Sequence, residues 1–263
     1  MEIVVLCKQV PDTESLIQIA EDGVSVKTGS IKWIINPYDE IAVEEALRIK
    51  EASGGTVTIL SVGHQRVEKA IRTSLLAMGA DKGILISDPL AENSDALGTA
   101  KILAAALKKI PYDLIIAGQR AVDQDNYQVG SAVAELLGIP QISQVIKEEI
   151  LDGKIRCHKA IEGATVVLEA SLPALFTTQR GLNEPRYTSL PQIMKAKKKP
   201  IDIKTLADIG IDPELVGDRN AKVKVKSLNL PQSRKAVKII EGDSAQEKAA
   251  VLVKLLNEEV KVI

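Results

Sequence analysis

YDLIIAGQRAVDQDNYQVGSAVAELLGIP, Tyr112 to Pro140, decides the fold class. Leu114, Ile115, Ile116 and Ala117 are a short apolar run of strand character, whereas Val129, Ala132, Val133, Leu136 and Leu137 recur at i, i+3, i+4, i+7 and i+8, one face of a helix. Gly138 and then Pro140 end that helix. A strand that empties through a polar loop into an amphipathic helix is the repeating unit of an open α/β sheet, whose pockets lie at strand carboxyl ends. Between strand and helix stand Gly118, Gln119, Arg120, Asp123, Gln124, Asp125, Asn126 and Gln128, more hydrogen-bonding groups than a turn needs to close. The helix start beyond them offers unpaired N–H groups and the positive end of a dipole, a setting that suits a phosphate. An ordinary solvated connection has the same spacing, so spacing alone leaves both readings open.

Outward from this unit, apolar runs at Ile3 to Leu6, Val57 to Val62 and Ile84 to Ile86 alternate with helical patterns. Asn36 as N-cap, Pro37 at the first helical position and the acids Asp39 and Glu40 open one long helix with Ala42, Val43, Ala46 and Leu47 on one face. A second helix carries Val67, Ile71, Leu75 and Met78 and stops at Gly79; a third opens at Ser94 and includes Leu97, Ala100, Ile102, Leu103 and Leu107. From Gln144 to Glu169 strands punctuated by Asp152-Gly153 and Gly163 predict an antiparallel meander, and a last buried strand runs from Ala174 to Thr178. The fold class is therefore α/β, a mainly parallel Rossmann-like sheet with an antiparallel meander and a C-terminal arm. Residues 1–200 are expected to form a nucleotide-binding domain that includes a conspicuous loop at 178–200. Residues 201–263 are expected to form an arm and a closing helix that pack on a partner. In that arm Leu206, Ile209, Ile211, Leu215 and Val216 are too sparse to close a core alone, so they pack back on the domain or dock elsewhere. The closing helix has a capping box, Ser244 with Glu247, and an apolar face of Ala249, Leu252, Val253, Leu255 and Leu256.

At 263 residues and 45% hydrophobic the chain buries a substantial core, and a net charge of −1 provides no field suited to nucleic acid or an anionic membrane. The lysines at 195 and 197 to 199 have Tyr187 as their only aromatic neighbour, which fits a solvated face or an electrostatic rim better than a nucleic-acid patch. Cys7 and Cys157 are too few for a disulfide framework or a metal cluster, so a reducing, cytoplasmic setting is expected. MEIVVLCKQV reads as a core strand rather than a signal peptide, and no apolar run reaches membrane-spanning length.

Neither G-x-x-x-x-G-K-[ST] nor G-x-G-x-x-G occurs, so a nucleotide would be held by other means. His64 follows a strand end and is able to face the same pocket, but it has no cysteine or serine nucleophile beside it and reads as structural. Asp123 and Asp125 suit helix capping or ribose hydrogen bonds better than paired acid–base work. With no catalytic constellation, the chain reads as a carrier subunit and not an enzyme. Two classes remain: a stand-alone adenine-nucleotide-binding module of the adenine nucleotide α-hydrolase-like kind, and a cofactor-holding subunit of a redox complex. The first leaves the 178–200 loop unexplained.

That loop, LNEPRYTSLPQIMKAKKKP from Leu182 to Pro200, resembles the signature of the electron-transfer flavoprotein β subunit. INPYDEIAVEEALRIK (Ile35 to Lys50), AIRTSLLAMGADKG (Ala70 to Gly83) and AGQRAVDQDNYQVG (Ala117 to Gly130) resemble the same family in order and spacing. The resemblance implies a heterodimer with an α subunit that holds most of the FAD. Electrons pass from client dehydrogenases such as acyl-CoA dehydrogenase to a downstream quinone-linked oxidoreductase. It also implies a structural AMP in this chain, cradled by Leu6, by Asn36, Pro37, Tyr38 and Asp39, by Val62, and by the loop of Gly118, Gln119, Arg120, Ala121, Val122, Asp123, Gln124, Asp125, Asn126, Tyr127, Gln128 and Val129. Backbone N–H groups around Asn126 to Val129 are assigned to the phosphate, and the acids to ribose, adenine or capping. Tyr38 and Thr13 are expected to line the isoalloxazine. Leu190, Arg186, Lys195 and Lys197 are expected to meet the partner, with Leu190 as the apolar anchor. The electron-bifurcating branch places a second FAD where AMP otherwise lies; KQVPDT at Lys8 to Thr13 and the QVG at 128–130 are closer to that form, so it remains the alternative.

Overall fold

The computed structural model describes residues 1–232 and 237–262. In chain order its strands are β1 (Glu2–Leu6), β2 (Gln9–Pro11), β3 (Trp33–Ile35), β4 (Thr56–Val62), β5 (Lys82–Ile86), β6 (Leu114–Gly118), β7 (Gln141–Leu151), β8 (Lys154–Ile161), β9 (Ala164–Ser171), β10 (Ala174–Thr178) and β11 (Ile201–Lys204). Nine of them form one sheet in the order β11-β5-β4-β1-β6-β10-β7-β8-β9, and β2 pairs with β3 in a separate antiparallel ribbon. Pairing is parallel from β11 through β7 and antiparallel across β7, β8 and β9. The helices are α1 (Pro37–Ser53), α2 (Val67–Ala70), α3 (Leu76–Met78), α4 (Ala96–Leu107), α5 (Val129–Leu137), α6 (Leu190–Ala196), α7 (Leu206–Ile209), α8 (Gly217–Asn220) and α9 (Ala245–Leu255). None of them is long and apolar enough to cross a membrane.

The period-two alternation of a strand sends successive side chains to opposite faces, and here both faces are covered, as a parallel sheet requires. Ile3, Val5, Ile59, Ile116 and Phe176 join Ala42, Val43 and Ala46 of α1 on one side. Val4, Leu6, Leu60, Ile115 and Ala117 join Ile102, Leu103 and Leu107 of α4 and Val133 of α5 on the other. Each fully buried aliphatic or aromatic side chain stabilises the fold by about 1.5–3 kcal/mol, which makes this double-sided core the main favourable contribution. α5 ends where Gly138 adopts a left-handed φ of 68°, as its sequence suggests. Leu136, placed on the apolar face by spacing, is nonetheless 37% exposed at the rim.

Several elements differ from the sequence reading. The second helix is interrupted, because α2 passes into a π turn at Ile71–Leu75 before α3. Asp95 and not Ser94 caps α4: its carboxylate accepts from the Gly98 N–H at 2.8 Å, while the Ser94 hydroxyl donates to Ala91 O and accepts from the Gly217 N–H. The first compact unit runs from Met1 to Lys226, beyond the boundary expected at 200, since β11 extends the sheet beside β5 and Leu206, Ile209 and Val216 are buried against the α4 side of the core. Of the sparse apolar residues of the arm, Leu206, Ile209, Val216 and, partly, Ile211 thus pack back on the domain, whereas Leu215 stays 47% exposed.

The second unit, Ser227–Ile263, contains α9, which has no buried residue, followed by a π turn at Leu256–Val260. Ser244 caps it by accepting from the Glu247 N–H, but the Glu247 carboxylate accepts from the Asp243 N–H rather than from that of Ser244, so only half of the expected capping box forms.

α1 meets the meander through two carboxyl groups, Glu45 and Glu148. Glu45 is 6% exposed and accepts from Asn183 Nδ2 at 2.6 Å, and Glu148 lies opposite Cys157 in the β7–β8 ladder. Burial first, and the neighbouring Glu45 carboxyl second, push Glu148 up to about 7. Since the folded chain favours the protonated acid, the stability it contributes is complete below the ordinary value of 4.5 and is lost as pH rises through about 7. Glu148→Gln, neutral throughout, is expected to raise the melting temperature at about pH 8 and to flatten its decline above about pH 5. Melting curves of the variant that track the wild type at every pH would show that this carboxyl is not held protonated.

Candidate functional site

Chain order proceeds outward from β1 through β4 and β5 to β11 in one direction, and from β6 through β10 in the other, so the connectivity reverses between β1 and β6. Open α/β sheets bind ligands in the crevice at such a switch point. A cavity of about 870 Å³ lies there, bounded by Leu6, Cys7 and Lys8 at the end of β1, Val62 at the end of β4, Ser87 and Asp88 after β5, and Ala117 to Ala121 at the end of β6. The connection from β6 to α5 supplies a polar wall through Gln119, Arg120, Asp123, Gln124, Asn126 and Gln128.

That wall is held by side chains of α1. Asn36 occupies the N-cap position but makes no cap bond with its side chain. Instead its Nδ2 donates to Arg120 O at 2.8 Å and its Oδ1 accepts from the Val122 N–H at 3.2 Å, which staples the loop to the helix start. Asp39 is buried; its Oδ2 accepts from the Lys8 N–H at 2.7 Å and its Oδ1 from Asn36 Nδ2 at 2.8 Å and the Gly118 N–H at 3.2 Å. Burial pushes this carboxyl up to about 7 against the pull of those donors. Gly118 approaches so closely that a Cβ there would overlap Asp39 Oδ1 and Tyr38 Cβ, and a Cβ on Gly130 would meet Thr177 Cγ2 at 2.9 Å.

Of the residues expected from sequence, Leu6, Asn36, Asp39, Val62, Gly118, Gln119, Arg120, Ala121, Asp123, Gln124, Asn126, Gln128 and Val129 line the cavity. Pro37, Tyr38, Val122, Asp125 and Tyr127 do not. Pro37 starts α1, and Tyr38 is 4% exposed with its hydroxyl accepting from Arg120 Nη2 at 3.0 Å, so it supports the loop from beneath. Asp125 pairs with Arg120 at 2.7 Å and the Tyr127 ring lies under the same guanidinium at 5.5 Å, and both Asp125 and Tyr127 take left-handed φ values, 50° and 56°. Asp123 pairs with Lys8 at 2.7 Å. Each acid of the loop therefore has its own cation, and the two do not form a carboxylate pair.

The α5 N-terminus completes the wall. Its N-cap, Gln128, makes no side-chain cap bond, so the first N–H groups of this nine-residue helix remain available to an anion. These observations fit a nucleotide: a concave site at the switch point, neutralised acids and an uncapped helix start.

Sequence reasoning missed most of the opposite lip. His64, read as able to face the pocket but as structural, does line the cavity, and its Nδ1 accepts from the Arg66 N–H at 3.1 Å. The Arg66 guanidinium stacks over the Trp33 ring at 3.8 Å and donates to Gln9 Oε1 at 3.3 Å, clasping the β2–β3 ribbon to the segment after β4. Residues of the β5–α4 connection, including Asp88 and Asn93, also line the cavity. The strand-end rule that singled out the loop after β6 applied equally to the residues after Ile86 and pointed to them.

The 178–200 loop lies elsewhere. Leu190 is 78% exposed at the first position of α6, behind the capping box of Ser189 and Gln192, and Tyr187 and Met194 beside it are 98% and 59% exposed. Lys195 and Lys197 are exposed as well. Arg186, expected to face the partner, is instead an internal anchor: its guanidinium takes Glu44 at 2.8 Å and Glu51 at 2.6 Å, leaving little of the fork for another protein.

The family model for the electron transfer flavoprotein domain matches residues 24–209. The chain is 43% identical over 265 residues to the electron transfer flavoprotein subunit beta of Bacillus subtilis, covering 100% of both chains, and 40% identical to that of Bradyrhizobium diazoefficiens, covering 98% of each. It is 37% identical over 261 residues to the caffeyl-CoA reductase-Etf complex subunit CarD of Acetobacterium woodii, covering 98% of this chain and 99% of that one. With a family model that spans most of the sheet and relatives aligned end to end, this chain belongs to the electron transfer flavoprotein family, as a β subunit.

Proposed function

We propose that this chain is the cytoplasmic β subunit of a heterodimer that relays electrons from dehydrogenases, such as acyl-CoA dehydrogenase, to a quinone-linked oxidoreductase, and that a structural AMP fills its cavity. The α subunit holds most of the FAD, which supplies the redox chemistry. This chain fixes the interface and excludes water. One observation carries the AMP reading: over the switch-point cavity, Asp123 and Asp125 are each neutralised by a cation, and the uncapped start of α5 is left with N–H groups for a phosphate. Backbone N–H groups of 126–129 would hold the phosphate, and Asp123, paired with Lys8, would meet the ribose or adenine.

A second reading has its own support. The cavity lining continues past the expected cradle to Trp33, Arg66 and Asp88, and one relative belongs to a reductase–Etf complex, both of which suit a second FAD and electron bifurcation. Purifying the chain with its α subunit and identifying the nucleotides released on denaturation separates the readings. One FAD and one AMP per heterodimer are expected; two FAD without AMP would establish the second reading, and no nucleotide beyond one FAD would exclude both. The chain expressed alone is expected to be colourless.

Leu190 is the apolar anchor for the client in this reading. An exposed leucine is worth about 1.5–3 kcal/mol when a partner buries it, a large share of a small transient interface. Leu190→Ala is therefore expected to slow electron delivery from the client roughly tenfold, since about 1.4 kcal/mol is a factor of ten. Flavin content, nucleotide content and melting temperature should match the wild type. Wild-type rates across a range of client concentrations would remove Leu190 from the docking surface.

A further inference from the structure

α6, which presents Leu190, has only seven residues, too few to be stable by itself, and its last carbonyls have no partner within the helix. Lys195 O and Ala196 O accept from the N–H groups of Lys198 and Lys199 at 3.1 Å each, and one side chain from outside binds Ala196 O and the two carbonyls that follow the helix. Arg72 Nη1 donates to Ala196 O at 3.4 Å, Lys197 O at 3.1 Å and Lys199 O at 3.0 Å, while Nη2 is held by Glu68 Oε1 at 3.0 Å. Arg72 projects from the π turn at Ile71–Leu75, between Ile71 and Leu75, both of which are fully buried in the core. π turns are uncommon and recur where a helix must present a side chain out of regular phase.

The arrangement is reciprocal. Lys199, just beyond α6, donates from Nζ to Leu76 O at 3.0 Å and Ala80 O at 2.6 Å, the end of the same helical stretch that carries Arg72. Each segment thus caps the other with a cation, and cations are favoured at helix carboxyl ends. Ala196 is fully buried between them. The opposite end of α6, with Leu190, is exposed; the chain is fixed before it by Arg186, which binds Glu44 and Glu51, and after it by the Arg72 and Lys199 contacts.

We propose that Arg72 is a positioning residue for client docking, holding α6 by its carboxyl end so that Leu190 is presented in one orientation before the client arrives. This rests on the docking role of Leu190 given above. A pre-ordered contact spares the entropy of ordering α6 on encounter, so losing the lock weakens encounter without altering the electron transfer that follows. Arg72 touches neither the cavity nor the client in this scheme.

The test is a double-mutant cycle in the FAD-loaded heterodimer, with substrate-reduced acyl-CoA dehydrogenase as the electron donor. Arg72→Gln is expected to raise the half-saturating donor concentration about fivefold with the saturating rate unchanged, and Arg72→Lys to recover part of the loss. Combined with Leu190→Ala, Arg72→Gln should add nothing to the single Leu190→Ala defect. Amides of 193–199 should exchange hydrogen faster in Arg72→Gln while those of β1 and β6 do not. A wild-type profile for Arg72→Gln, or a double variant slower by the full product of the two single effects, would overturn the proposal while leaving Leu190 as anchor. A Leu190→Ala variant at wild-type rate would remove the docking reading itself, and the proposal with it. If Arg72→Gln fails to assemble, Lys199→Met removes the reciprocal cap and is read in the same cycle, with the same non-additivity expected.

Discussion

Asp39 joins three segments that are remote in sequence, and the cavity has its shape because of that junction. One carboxylate collects the Lys8 N–H after β1, the Gly118 N–H at the end of β6 and the Asn36 amide at the start of α1. Buried and without these donors, the charge would be prohibitively costly; with them, the ends of β1 and β6 are held in fixed relation to one helix start. Gly118 is the steric counterpart, since any side chain there would occupy the carboxylate's place.

Charge is managed locally throughout. The formal net charge is −1, and within the site Lys8, Arg120, Asp123 and Asp125 cancel in pairs. The same device fixes the 178–200 loop, where Arg186 grips Glu44, whose side chain is only 4% exposed. Removing Arg186 would leave that nearly buried carboxylate to Arg48 alone, 3.0 Å away, which makes Arg186 a part of the scaffold. The loop can then expose Tyr187, Leu190 and Met194 without unravelling, because its fixed points lie on either side of the exposed residues, at Arg186 and at Arg72 with Lys199.

Local patterns carried the fold class a long way. Apolar runs marked β1, β4, β5, β6 and β10, and Pro37, Gly138 and Ser189 behaved at helix ends as their chemistry dictates. What spacing did not disclose depends on partners distant in the chain. β11 is a four-residue, half-polar segment that becomes a strand only because β5 has a free edge to offer. Asn36 looked like a helix cap and instead spans 84 residues to reach Arg120 O. Arg186 looked like a surface contact because Glu44 and Glu51 sit 142 and 135 residues away. Nearly three quarters of the expected cradle does line the cavity; among the exceptions, Asp125 and Tyr127 sit in left-handed turns and Tyr38 lies below the loop, conformations that composition does not encode.

Trp33 is the chain's single tryptophan, and it stands at the lip of the cavity with the Arg66 guanidinium over its ring. The intrinsic indole fluorescence of this subunit is therefore not an average over a core, as it is in most proteins. It originates at one point, beside a cation whose approach or withdrawal alters the emission directly. Filling or emptying of the cavity, and any parting of the β2–β3 ribbon from the segment after β4, is thus reported optically by the unlabelled, wild-type chain.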